Sequence, residues 1–195
     1  MAGAPSRPST APASPTWRRA ALVAGTVVLA AVVAVVQDSV TDAVLRGLMV
    51  LVVVPCAVID LEQRIIPNRI TGPGAVLALV AGLALDPGGE LSRLAWTAGV
   101  AGFLLVASLV NPSGMGMGDV KLLGVIGLCL GRPVLVALAA ALIASVLTGL
   151  AIASRRGVHT ARKTALPFGP YLAVGGVLAA VVGDPIIHAY LQLHH

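Results

Sequence analysis

The sequence predicts an all-α fold, a polytopic bundle of about seven transmembrane helices with six and eight as the bounds, and three observations carry that expectation. Of 195 residues, 57% are apolar and 11% are charged, where a soluble domain carries about a quarter charged. The apolar residues are gathered into runs of membrane-helix length. At about 20 residues per span, seven spans take roughly 140 residues and leave roughly 55 for a tail and loops, so a large extramembrane domain within this sequence is excluded. Finally, the 13 Lys and Arg residues cluster in alternate inter-run segments, which is how a membrane protein records its orientation. The net charge of +5 would raise nucleic acid in a soluble protein; here it reads as topology, and no nucleic-acid partner is expected.

Taken in order, residues 1–19 hold Pro5, Pro8, Pro12 and Pro15 among Ser, Thr and Ala, a mixture too poor in apolar surface to offset its ordering entropy, and they read as a disordered cytoplasmic tail. Trp17-Arg18-Arg19 closes the tail, and residues 20–192 form the expected transmembrane domain. The first run, Ala20–Val36, exceeds the 7 to 15 residues of a signal-peptide core and is followed by no clear A-x-A site, so it reads as a helix that stays. Leu45–Ile59, Ile70–Leu85, Leu94–Val110, Val120–Leu130 and Val134–Ala153 follow. The last run, Pro170–Val182, can extend to Leu191. Short runs are accommodated by tilt, local thinning or burial in protein. Ala137, Ala141, Ser145 and Gly149 recur every four residues in the sixth run, a small-residue face for close helix packing.

Orientation follows by count. With seven alternating helices and the tail inside, the inner segments hold Arg7, Arg18, Arg19, Arg64, Arg69, Lys121, Arg155, Arg156, Arg162 and Lys163, and the outer ones hold Arg46, Arg93 and Arg132. Ten against three gives an N-in, C-out topology, and anionic headgroups are the expected partners of the basic inner loops. Cys56 and Cys129 both lie in apolar runs outside any CxxC pair. They supply neither a disulfide framework nor a zinc knuckle.

That topology leaves three acids inside, Asp60, Glu62 and Asp119, and two of them abut apolar helices. Asp60 ends the second run, and Asp119 opens the fifth after Gly114-Met115-Gly116-Met117-Gly118. Both carboxylates therefore fall on one membrane face, 59 positions apart, where an ionisable group is a functional candidate by default. Two Asp side chains held close cannot both ionise, so one keeps its proton while the other acts as a base on a bound water. Helix position separates the roles on this reading: an anion is favoured at the N-terminal Asp119 and a protonated acid at the C-terminal Asp60. The plainer alternative makes Asp119 a helix N-cap and Asp60 an interfacial residue paired with Arg64. Gly116 and Gly118 suit close approach of a substrate main chain, and the segment lacks the Lys-Ser/Thr of a phosphate loop. Lys121 either acts on the pair or snorkels to the headgroups.

These residues resemble a known family. Gly116-Met117-Gly118-Asp119-Val120-Lys121 is similar to the GxGDxK signature of type IV prepilin peptidases, a branch of the GxGD intramembrane aspartyl proteases. Asp60 followed by Ile66-Pro67-Asn68 resembles that family's first catalytic Asp and its IPN turn, and Pro167-Phe168-Gly169-Pro170-Tyr171 resembles its PFGPY segment. The three motifs occur in the family's order, and the resemblance covers about residues 45–182. It implies a bacterial inner-membrane, multi-pass aspartic endopeptidase of type IV pilus and protein-secretion systems, with its active site at the cytoplasmic face. Such an enzyme removes the short basic leader from prepilins or pseudopilins just before their hydrophobic helix.

Carried over residue by residue, Asp60 and Asp119 become the catalytic dyad, Gly116 and Gly118 the loop that frames it, and Lys121 a supporting charge. Pro67, Asn68, Pro167, Gly169 and Pro170 become shaping residues. No metal or other cofactor is expected in the cleavage step. The long form of the family inserts a CxxC domain before its first Asp, associated with N-methylation; Val36 to Asp60 leaves no room for it, so the short form of Flp-like systems is the nearer match and methyltransferase activity is not expected. Two other classes remain open from the residues alone: a proton-coupled transporter or channel using the same carboxylates, and a non-catalytic pilus-assembly membrane protein. Internal repeats would favour transport, and none is visible. Oligomeric state is left open.

Overall fold

Residues 16–110, 116–156 and 167–193 are described by a computed structural model, and every regular element among them is an α-helix. Seven helices follow one another: α1 (Thr16–Val35), α2 (Val40–Gln63), α3 (Asn68–Leu85), α4 (Pro87–Val110), α5 (Met117–Leu130), α6 (Val134–Arg156) and α7 (Gly169–Gln192). Five of them, α2, α3, α4, α6 and α7, have the length and apolar character to cross a membrane. This is the expected polytopic helical bundle. Tail residues 1–15, Gly114 and Met115, the basic stretch through Arg162 and Lys163 with His159, and His194 and His195 lie outside the described residues.

The helices run past the apolar runs because their charged ends find partners. α2 begins at Val40 instead of Leu45: the Ser39 hydroxyl oxygen accepts the Asp42 N–H at 3.0 Å, satisfying one of the orphan donors of a helix start. α4 begins at Pro87 instead of Leu94, since Glu90 and Arg93 pair within its first turns. Pro at the first helical position loses no hydrogen bond there. α1 starts at Thr16, four residues before the apolar run, and α7 takes the longer option through Pro185.

The shortest helix sits in the middle. At 14 residues α5 is about 21 Å long, less than the roughly 30 Å hydrocarbon layer. It compensates by packing: α2, α3, α4, α6 and α7 all touch it, and nine of its residues are buried, among them Leu122, Leu123, Val125 and Ile126. A helix that is apolar all round belongs inside, and α5 fits that rule. At the other extreme, α1 touches only α2 and α7 among the described residues. On the small-residue face of α6, Ala137 and Ala141 are fully buried against Gly175 of α7, whereas a Cβ at Gly149 would meet open space.

Successive helices alternate in direction, and side-chain contacts sort their ends into two sets. At one end Arg46 of α2 reaches Ala180 and Asp184 of α7, Gln37 after α1 donates to the Ala180 carbonyl, and Arg93 of α4 packs on Gly131 after α5. At the other end lie Asp60, Ile66, Asn68, Asp119, Lys121 and Gly169. The bundle thus brings together the residues that the alternating topology assigned to one face.

Candidate active site

Asp60 occupies the last turn of α2. The helix stops because Arg64 adopts a left-handed conformation (φ 56°) and returns its N–H to the Asp60 carbonyl at 2.9 Å, after which Ile66-Pro67 runs extended. The Asp60 side chain is buried, 6% exposed, and Oδ2 accepts the main-chain N–H of Gly169 at 3.1 Å. Gly169 is the first residue of α7, so this N–H is one that a helix start leaves unsatisfied. Pro170 stands in that first turn, and the Phe168 carbonyl accepts from Tyr171 and Leu172 to close it.

Asp119 is the third residue of α5 and 8% exposed. Its Oδ2 accepts the Gly116 N–H at 3.2 Å while its own N–H donates to the Gly116 carbonyl at 3.0 Å. Asp119 is therefore not the N-cap that the plainer reading made it: Gly116 takes that place, and one Asp119 oxygen reaches back to the cap N–H from the third helical position. Nor does Asp60 pair with Arg64: only the backbones bond, and the Arg64 side chain is exposed. Among the described residues neither aspartate has an ion-pair partner or a hydrogen bond on Oδ1, and Asp119 lies within electrostatic reach of Asp60.

Two glycines make the approach possible. A Cβ on Gly169 would stand 2.7 Å from Asp60 Oδ2, and a Cβ on Gly118 would stand 2.9 Å from the Ile66 side chain. Both distances are closer than carbon contacts allow, so Gly169 seats α7 on Asp60 and Gly118 seats α5 on the IPN turn. Ile66 is buried there as a plug. Lys121 Nζ donates to Asn68 Oδ1 at 2.9 Å, a second tie between α5 and the same turn. Lys121 thus reaches neither carboxylate through a hydrogen bond. Pro67 caps α3 through its carbonyl, which accepts from Ile70 and Thr71, and Pro167 is half-buried just before the Phe168 cap.

The three motifs therefore interlock. Sequence reasoning treated Gly169 as a shaping residue, whereas its N–H is the direct partner of Asp60; Ile66 was noted only as part of a motif, and its fit against Gly118 gives it a task. The helix-end argument for dividing the dyad's roles loses its asymmetry, because Asp60 also faces the N-terminus of α7. Among the described residues no three His, Cys, Asp or Glu side chains converge as metal ligands. What the site offers is a pair of buried carboxylates, each with one oxygen held by a glycine N–H and the other without a hydrogen bond among the described residues.

Comparison with known proteins gives a consistent picture. The type IV leader peptidase family matches residues 47–154. Among curated relatives, the prepilin leader peptidase/N-methyltransferase of Bacillus subtilis (strain 168) is 38% identical over 147 residues, covering 70% of this chain and 55% of the relative. The protein of the same name from Aeromonas salmonicida (strain A449) is 33% identical over 158 residues, 74% of this chain and 51% of its own. That from Pseudomonas putida is 32% identical over 147 residues, 70% and 49%. The chain spans about half the length of these relatives. No solved structure matches it.

Proposed function

Because this chain belongs to the type IV leader peptidase family, we propose that it is a membrane aspartic endopeptidase that removes the basic leader from type IV or Flp-like prepilins or pseudopilins. Asp60 and Asp119 are the catalytic pair. One carboxylate takes a proton from a water held between them as it attacks the scissile carbonyl, and the protonated partner donates to the carbonyl oxygen. Proton transfer to the leaving amine then breaks the C–N bond and restores the pair. Gly116 and Gly169 keep the two side chains in register through their N–H groups, and Gly118, Pro67, Asn68, Lys121, Pro167 and Pro170 hold the three segments that carry them.

The observation that carries this reading is the Gly169 N–H to Asp60 contact at 3.1 Å, which joins the last motif to the first across 109 positions. A transporter needs coupling carboxylates but gives no reason for all three peptidase motifs to meet on them. The ten-to-three cation bias favours a cytoplasmic site in the bacterial inner membrane, with anionic lipid around the basic loops. The catalytic unit is the helical part, residues 20–192. Only four residues, 36–39, separate α1 from α2, too few for a CxxC domain at that point, so peptide cleavage without N-methylation is the activity proposed for this chain.

Co-expression with a prepilin tests the reading. Leader removal by the unaltered chain is expected, with its loss in Asp60→Asn and in Asp119→Asn; normal processing by either variant sinks the dyad. Mass spectrometry of the mature pilin N-terminus is expected to show an unmethylated residue when no other methylating enzyme is present.

A further inference from the structure

Two apolar grooves stand out among the described residues, and the second of them leads toward the candidate site. The first lies between α1 and the opening half of α2, with Val27, Ala31, Val40 and Leu51 among its walls. Leu51, its nearest wall residue on α2, stands about 13 Å along the helix from Asp60. The second, of about 520 Å³, lies between α2 and α7 with Leu29 of α1 at its edge. Its α2 wall is a stripe at helical spacing that ends in Ala57 and Leu61, the residues three before and one after Asp60. Its α7 wall starts at Pro170, next to the glycine that holds Asp60, and continues through Val174 and Val177 to Val181, about 16 Å along the helix.

We infer that this second groove seats one face of the apolar helix of the prepilin substrate, placing the peptide bond just before that helix beside Asp60; the inference rests on the peptidase reading above. Three features of the groove select this occupant. Its lining is wholly apolar, matching a membrane helix and rejecting the basic leader. Its outer walls are open toward the bilayer, with Leu61 61% and Val174 64% exposed, so a helix enters sideways without crossing a polar barrier. Its volume holds the side chains of one helix face, the mode in which residues at i, i+3, i+4 and i+7 anchor a helix in a groove. The groove ends at Leu61 and Pro170, the residues next to Asp60 and to the glycine that holds it, so the junction between apolar helix and polar leader falls beside Asp60.

A photo-reactive residue tests it in the full-length chain in membranes. The Asp119→Asn chain, which retains uncleaved precursor, carries benzoylphenylalanine at Val174, at Ala31 in the other groove, or at Leu147 on the exposed side of α6. Adducts with the hydrophobic segment of the prepilin are expected at Val174 and not at Ala31 or Leu147. Adducts at Val174 with phospholipid alone, or equal yields at all three positions, overturn the inference. The unaltered chain is given the same precursor in parallel. Leader removal without an adduct at Val174 overturns the groove and leaves the peptidase standing; no leader removal overturns both. As a second measurement, Val177→Trp is expected to raise KM about tenfold with kcat held, the scale set by a misfit in an apolar pocket. Ala31→Trp is expected to change neither, and equal KM values for the two variants contradict the inference.

Discussion

The two ends of the bundle treat buried acids in opposite ways. At the Arg46 end the acids meet guanidinium groups: buried Glu90 and part-exposed Asp86 flank Arg93 at 3.2 and 2.8 Å, and buried Arg46 bridges part-exposed Asp42 and Asp184. Glu90 is only 1% exposed and survives there because its charge is compensated. At the Asp60 end, two buried acids lie within electrostatic reach of each other with no cation bonded to either among the described residues, and their hydrogen-bond partners are glycine N–H groups. Compensated charge holds helices together. Carboxylates positioned by main-chain donors that cannot exchange protons with them suit the acid–base role proposed for Asp60 and Asp119.

The contrast predicts effects of different kinds at the two ends. Asp60→Asn or Asp119→Asn is expected to lower leader processing by roughly 10³-fold or more, the scale of losing an acid–base group, with little change in thermal unfolding. Gly169→Ala is expected to lower it by roughly 10²-fold, since the added carbon displaces the Asp60 carboxylate. Mutation at the opposite end should act on folding: Arg93→Ala strands Glu90 without its charge partner and is expected to cost about 3 kcal/mol of stability, seen as a lower melting temperature in detergent, with the rate per folded molecule kept. Lys121→Met, which removes an exposed tie to Asn68, is expected to lower processing only about two- to fivefold. A full loss of activity in Arg93→Ala at unchanged stability would break the comparison. The pH profile sharpens it. A dyad working with one shared proton loses rate at low pH, where both groups are protonated, and again at high pH, where neither is. A bell is expected for the unaltered chain, read from cleavage of purified precursor.

Much of this was legible in the sequence because it is written locally. Apolar runs gave seven helices, alternating cations gave a common face for Asp60 and Asp119, and the motifs Ile66-Pro67-Asn68 and Gly116 to Lys121 are contiguous. Contacts between distant segments were not. The Arg46–Asp184 pair spans 138 positions and the Gly169–Asp60 bond 109, and no periodicity within a helix records a partner on another. Helix starts at Val40 and Pro87 were missed for the same reason, since Asp42, Arg46, Glu90 and Arg93 read as loop charges until their mates are placed. The central position of α5 had a signal in its all-round apolarity, but its shortness pointed the other way. The α6 stripe was legible as a packing face, and Ala137 and Ala141 do pack on Gly175 of α7, but its spacing did not tell that Gly149 would have open space beside it.

The central claim is that Asp60 and Asp119 act as one unit, and a double-mutant cycle tests it most directly. Processing of a purified prepilin is measured for Asp60→Asn, Asp119→Asn and the double variant, each verified as folded by its thermal unfolding. Residues that work as a unit are grossly non-additive, so the double variant should be no slower than the worse single one. Losses that multiply, or a single variant that retains normal processing, would contradict the account.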